Sequence, residues 1–424
     1  MLITLGILLL LFLFTSVPIF ISLGLASFIS VMFLSNTEPM VLIQRLFGGL
    51  DQFALMALPF FILAANLMDG GGLSVRILRF SRALVGHFAG GIALTTQVAS
   101  MFFGALSGSS PATVIAIGKI MYPDLIKNGY GKSFSAGLLA SSGAVSLIIP
   151  PSITLIIFGS VTGVSVGSLF IAGIGAGIVL GLSSILYIYI YAKRNNVPRD
   201  KRASLKELGA TFGRAWWALL VPVIILGGIY SGIFSPTEAA GVSAVYAFLI
   251  GYFVYKEMNM KEFFTICVES AITSAQVLVL VAAAQVLGWV LTRERLPQTI
   301  VELITTNITS VIIFLLLLNL ILLIMGMFME GVAAIIVTAP LIFPAAMALG
   351  IDPVHLGVIM IANLAIGMYT PPFGINIFVA QTITKMSLSE MMPGLMKFLA
   401  FNLIGLMVIT YIPDVSLFLL KILE

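Results

Sequence analysis

The sequence predicts an all-α polytopic membrane protein built as an inverted repeat, each copy holding five membrane spans and one re-entrant helical hairpin. Three observations carry that expectation. Of the 424 residues, 60% are hydrophobic and only 9% charged, against roughly a quarter charged in soluble domains, and many apolar runs reach the ~20 residues that span a bilayer. The chain also repeats itself: Ile149-Pro150-Pro151 returns as Thr370-Pro371-Pro372 and Met121-Tyr122-Pro123 as Ile342-Phe343-Pro344, and 371 less 150 and 344 less 123 both give 221. Finally, an odd number of spans separates equivalent points, which turns the second copy over in the membrane.

The first copy covers 1–192. Residues 2–34 are one apolar run with Thr15-Ser16-Val17-Pro18 in its middle, and Ser235-Pro236-Thr237-Glu238 breaks the second copy at the matching place, so two short helices are expected. The run starts at Leu2 without a basic segment or a small-residue cleavage site, so it reads as a first membrane segment and not a removed signal peptide. Residues 40–68 form a third run, closed by Asp69-Gly70-Gly71-Gly72, because glycine continues a helix only at a cost. Arg76, Arg79 and Arg82 recur every third residue opposite Leu73, Ile77, Leu78 and Leu84. That pattern predicts a helix over 73–85 lying on the membrane lipid, with a plain basic loop as the alternative. Residues 88–123 climb to the tip Ser107-Gly108-Ser109-Ser110-Pro111 and return as a hairpin. A helix over 137–161 is broken by Pro150-Pro151, and 166–192 is a further span.

Residues 193–213 form the linker, with Lys193, Arg194, Arg199, Lys201, Arg202 and Lys206. Lys and Arg concentrate in cytoplasmic loops, so this linker is expected in the cytoplasm. The second copy, 214–424, holds spans over 216–232, 239–255 and 263–291 and a short linker with Arg293 and Arg295. A second hairpin over 311–343, a broken helix over 356–384 and a last helix over 395–420 complete it. Counting outward from the basic linker puts the first hairpin on the cytoplasmic side, opens the second to the periplasm and leaves both chain ends periplasmic.

Several function classes are excluded. The net charge of +4 and pI of 9.1 come from short loops and mark topology, not nucleic-acid binding. A single cysteine, Cys267, and two histidines, His87 and His355, offer no disulfide and no zinc or haem site. An intramembrane hydrolase would need a dyad or metal cluster at depth, so no enzyme and no organic cofactor is expected.

The chemistry concentrates where the helices break. Proline removes a backbone donor and frees the carbonyl one turn earlier, and irregular backbone at membrane depth persists only where protein or water satisfies it. Ser107, Ser109 and Ser110 with backbone around Gly143, Ser146 and Ile149 therefore form a first candidate cation site. By repeat equivalence, Gly326, Glu330, Gly331, Gly367 and Thr370 form a second. Uncharged oxygens suit a monovalent hard cation, with Na+ as the coupling ion, whereas calcium would call for carboxylates. Ser110, Thr113, Pro150, Pro371 and Asn376 are the candidate substrate contacts. The alternative for the serine-rich tip is helix packing, since small residues let membrane helices approach. Asp51, Glu238, Glu269 and Glu330 are candidate charges at depth. Glu238 reads as a helix start, and Glu330 as either a cation contact or a helix cap. Near the tips the only cations are Lys119 and Lys127, too few for an arginine clamp on a carboxylate.

Gly232-Ile233-Phe234-Ser235-Pro236-Thr237-Glu238-Ala239-Ala240, the tip from Ser107 to Thr113, and Tyr369-Thr370-Pro371-Pro372-Phe373-Gly374-Ile375-Asn376 resemble the large membrane subunit of tripartite ATP-independent periplasmic (TRAP) transporters over the whole chain. The likeness is read as greatest to the sialic acid branch, although the dicarboxylate branch shares these motifs. The resemblance implies an elevator fold, sodium-driven uptake of an organic acid across the bacterial inner membrane, and sodium sites where each tip meets its broken helix. It also implies two protein partners: a periplasmic substrate-binding protein and a small four-helix membrane subunit, here expected as a separate chain. N-acetylneuraminate is the first expected substrate and a C4-dicarboxylate the alternative. A sodium–dicarboxylate symporter working without a binding protein is the competing reading.

Overall fold

The computed structural model describes residues 1–15, 17–35, 37–307 and 310–423, so Ser16 of the expected first break lies outside the described residues. The described residues form α-helices without a strand, and eight helices are long and apolar enough to cross a membrane. The α-helices of the first copy are α1 (Leu2–Phe14), α2 (Ile19–Leu34), α3 (Pro39–Gly48), α4 (Ala57–Gly70), α5 (Leu73–Val85), α6 (Gly91–Ser107), α7 (Ser110–Lys127), α8 (Lys132–Ala144), α9 (Ile153–Thr162) and α10 (Val166–Asn195). The second holds α11 (Leu205–Tyr230), α12 (Pro236–Leu249), α13 (Met260–Arg293), α14 (Leu296–Asn307), α15 (Val311–Phe328), α16 (Gly331–Ala348), α17 (Pro353–Gly367), α18 (Ile375–Thr384), α19 (Leu388–Tyr411) and α20 (Asp414–Leu423). Both bounds of α7 recur in α16, since 331 less 110 and 348 less 127 give 221.

The packing follows the same correspondence. α4 lies on α12 as α13 lies on α2, and α8 lies on α19 as α17 lies on α10. Across the copies, α18 packs on α7 and α9 on α16, so each post-break half-helix supports the other copy's hairpin. Both double prolines, Pro150-Pro151 and Pro371-Pro372, are cis.

Local sequence accounts for the helix starts. Ser235, Asn259 and Ser387 cap α12, α13 and α19, each in a reciprocal box with a glutamate three residues on: Glu238, Glu262 and Glu390. Each box satisfies two otherwise orphaned backbone donors, so Glu238 is a structural carboxylate. His355 is buried between Ser416 Oγ, 3.2 Å from Nδ1, and the Thr410 carbonyl, 3.3 Å from Nε2. It ties α17 to the C-terminal helices.

The structure departs from the sequence reading in several places. The run over 40–68 is split into α3 and α4, and Gly49 sits where an added Cβ would come 2.3 Å from Gln285 Cγ, so the break lets α13 pass closely. The short linker with Arg293 and Arg295 is followed by a whole helix, α14, the counterpart of α5. α7 continues through Pro123 to Lys127, and α16 through Pro340 and Pro344 to Ala348. Each of these prolines forgoes its own bond to the carbonyl four residues earlier, and the helix continues past it. Residues 205–213 of the expected linker already belong to α11. The last helix starts earlier and divides at Pro413 into α19 and α20. On α5, Leu73, Ile77, Leu78 and Phe80 are buried as an amphipathic helix requires, but Leu84 is 38% exposed. Two of its arginines are paired: Arg76 with Glu257 at 2.7 Å, and Arg82 with Asp124 and Asp200 at 2.8 Å each.

Candidate functional site

The first hairpin turns at Gly108, whose φ of 57 lies in the left-handed region that glycine adopts without a Cβ clash. Ser109 then stands at the N-cap of α7, with Pro111 in its first turn, where a missing N–H costs nothing. The turn stacks hydroxyls together. Thr113 Oγ1 donates to the Ser109 carbonyl at 2.9 Å, lies 3.0 Å from Ser107 Oγ, and accepts from Ser146 Oγ at 2.8 Å. Ser146 belongs to the first broken helix, so the tip and the break share one buried network. Gly143 supports it: a Cβ there would come 2.9 Å from the Ser110 carbonyl. Ile149 enters the first candidate site through its backbone carbonyl only. Its side chain packs on Gly177 of α10, where an added Cβ would lie 2.5 Å from Ile149 Cγ1.

The carbonyl freed by Pro151, four residues earlier at Leu147, is not left open. Thr154 Oγ1 donates to it at 3.0 Å, and Ser152 Oγ donates to it as well. In the second copy the carbonyl freed by Pro372 is that of Met368, which accepts the Asn376 N–H at 2.9 Å. The expected row of free carbonyls is therefore partly occupied by the protein itself, as buried acceptors demand partners.

In the second copy, Gly326 of α15 and Gly367 of α17 meet backbone to backbone. A Cβ on Gly367 would come 2.6 Å from Gly326 Cα. Thr370 Oγ1 donates to the Ile366 carbonyl at 2.8 Å, leaving its lone pairs available. Glu330 caps α16, accepting from the Val332 N–H at 3.1 Å. Gly331 lies against Thr154 and Leu147 of the first copy's break, with 3.3 Å from an added Cβ to Thr154 Cγ2. Conversely, Asn376 of α18 reaches the first hairpin, donating to Ser110 Oγ at 2.7 Å and to the Ala140 carbonyl at 2.9 Å. Its Oδ1 is buried without a hydrogen-bond partner.

Both tips border one cavity of about 410 Å3. Ser107 and Ser109 line it from the first tip, Glu330 and Val332 from the second, and Leu147 and Thr154 from the break. Asn66 and Asp69 of α4 and Thr273 of α13 close it from the other side, and Asn66 is held by a 2.9 Å bond to Ser270 Oγ. Among the described residues, the lining has two carboxylates and no lysine or arginine. Ser110, Thr113, Pro150, Pro371 and Asn376, read from sequence as substrate contacts, are not among the residues that line it. Asn66, Asp69, Thr154 and Thr273 were not singled out. Their one sequence signal is the presence of polar side chains in apolar runs, and for Asn66 and Asp69 a three-residue spacing on one helix face.

A cavity of this size between two hairpin tips, α4 and α13 can hold a small solute. Residues 6–415 match the family model described as "Tripartite ATP-independent periplasmic transporter, DctM component". The chain is 42% identical to the C4-dicarboxylate TRAP transporter large permease protein of Vibrio cholerae, over 95% of this chain and 94% of the relative. It is 43% identical to the protein of the same name from Pseudomonas aeruginosa, over 93% of each. To the sialic acid TRAP transporter large permease protein of Vibrio cholerae it is 35% identical, over 96% of this chain and 95% of the relative. The expected leaning toward the sialic acid branch is thus corrected: that likeness is the weaker one. The protein is a multi-pass inner-membrane permease, and the chain belongs to the DctM component family of tripartite ATP-independent periplasmic transporters.

Proposed function

We propose that this chain is the membrane permease of a sodium-driven uptake system for a C4-dicarboxylate, which a periplasmic binding protein delivers and which a small membrane subunit helps to transport. The observation that carries the reading is the cavity between the tips, lined by hydroxyls and by Asp69 and Glu330 but by no cationic side chain. A dianion entering it meets two carboxyl groups and no cationic side chain in a low-dielectric setting, so the lining itself offers it no charge partner. Bound cations must supply the attraction. The Ser107–Thr113–Ser146 hydroxyls and the Gly326–Gly367 contact are where they would sit. Coupling follows directly, because a substrate that binds only beside sodium carries sodium with it. The absent arginine clamp favours a partner that concentrates the substrate first. Two relatives, 42% and 43% identical and both named for C4-dicarboxylates, support the substrate class, beside a third at 41% named for isethionate.

The test is reconstitution into liposomes under an inward sodium gradient, with succinate or N-acetylneuraminate, and with or without the binding protein and small subunit. Sodium-dependent succinate uptake that needs both partners is the expected result. Uptake by this chain alone from free substrate would replace the reading with a stand-alone symporter. Uptake of N-acetylneuraminate but not succinate would overturn the substrate class.

A further inference from the structure

A second cavity, of about 470 Å3, lies away from the transport site between α5, the start of α11 and residues 254–257, which join α12 to α13. Arg76, Arg79, Arg214, Trp217, Tyr255 and Glu257 shape it. The wall is constructed, not incidental. The Arg76 guanidinium donates to the Gly72 carbonyl and to Glu257 at 2.7 Å each, and its central carbon stands 3.8 Å above the Tyr255 ring. The Tyr255 hydroxyl in turn donates to the Arg214 carbonyl at 2.8 Å. Glu257 answers the charge of Arg76. Arg79 and Arg214 have no carboxylate partner among the described residues, so the cavity holds two uncompensated guanidinium groups.

Its surroundings identify the ligand class. Guanidinium groups match phosphate oxygens with paired N–H donors. The cavity opens beside exposed apolar side chains, Phe212 at 41%, Trp217 at 39% and Phe253 at 59%, which acyl chains cover in a bilayer. Tryptophan is enriched at headgroup depth. The basic linker before α11 puts this end on the cytoplasmic leaflet by the positive-inside rule, where anionic headgroups attract clustered arginines. We propose that Arg79 and Arg214, framed by the Arg76–Glu257 pair, form a binding site for the phosphate of an anionic phospholipid. The lipid would bridge α5, which leads into the first hairpin, to α11.

The test uses the full chain, with any subunit that co-purifies, in nanodiscs of phosphatidylcholine containing a minor fraction of phosphatidylglycerol. Native mass spectrometry counts retained phosphatidylglycerol for wild type, for Arg79→Gln/Arg214→Gln, and for a charge-matched control in the linker, Arg199→Gln/Arg202→Gln. Losing charged hydrogen bonds to a phosphate, each worth about 1.5 kcal/mol or more, should leave the cavity variant with roughly tenfold less retained lipid than the linker control, which loses only the same nonspecific surface attraction. Equal retention in all three overturns the site. Thermal stabilisation of wild type by inorganic phosphate without phosphatidylglycerol retention overturns the lipid as its source. A photoactivatable phosphatidylglycerol on wild type provides a readout independent of any variant: adducts should fall on 73–85 and 205–217, and adducts spread evenly over the lipid-facing helices would reject the proposal.

Discussion

Asn376 donates a 2.7 Å hydrogen bond to Ser110 Oγ from 266 residues away, joining the second broken helix to the first hairpin tip. Each copy of the repeat thereby completes the other's tip, since Gly331 of the second tip rests in turn on Thr154 of the first break.

Replacing Asn376 with leucine removes both donors and strands two buried acceptors, Ser110 Oγ and the Ala140 carbonyl. An unsatisfied buried polar group costs about 1–3 kcal/mol. Thermal unfolding in detergent should therefore shift down by several degrees, and uptake should fall. An unchanged melting profile would show that the interdomain bond contributes nothing.

Thr113 is the centre of the hydroxyl cluster, with contacts to Ser107, Ser109 and Ser146. Thr113→Val keeps the shape and deletes the oxygen, whereas Thr113→Ser keeps the oxygen. The sodium concentration for half-maximal uptake should rise several-fold in the valine variant and stay close to wild type in the serine variant. Parallel behaviour of the two would remove this cluster from the sodium site.

At the second tip, Gly326→Ala forces a Cβ to within 2.9 Å of Gly367 Cα. Overpacking of this kind costs about 1–3 kcal/mol, and two backbones have little room to yield. The variant should unfold at lower temperature and show weakened sodium dependence. Gly227→Ala, in α11 where an added Cβ meets nothing within 4 Å, is the matched control and should behave as wild type.

Glu330 both caps α16 and lines the cavity. Glu330→Gln preserves the acceptor for the Val332 N–H while removing the charge, so stability should change by less than about 1 kcal/mol. If the charge matters for coupling, the sodium dependence of succinate uptake must change in this variant. Wild-type sodium dependence together with wild-type stability would assign Glu330 to capping alone.

Much of this was legible in the sequence because it is local. Hydropathy marks the membrane class, and glycine and proline act on the residues beside them, so the tips, the double prolines and the 221-residue repeat could be read before any coordinates. The amphipathic face of α5 was equally plain. α14, its counterpart, was overlooked because its shorter apolar stripe lacks the triple-arginine marker. The break between α3 and α4 stayed hidden inside an apolar run because its reason, the close passage of Gln285 by Gly49, lies in another helix. The same limit applies at the site. Which oxygens remain open depends on neighbours far away in the chain: Thr154 covers the Leu147 carbonyl that proline frees, and Asn376 engages Ser110 from the opposite copy. Asn66, Asp69 and Thr273 become cavity walls only when α4 and α13 pack against the tips. Periodicity tells which residues share a helix face, but which partner that face meets, and how closely, is settled by packing among helices distant in sequence, and that packing set the cavity.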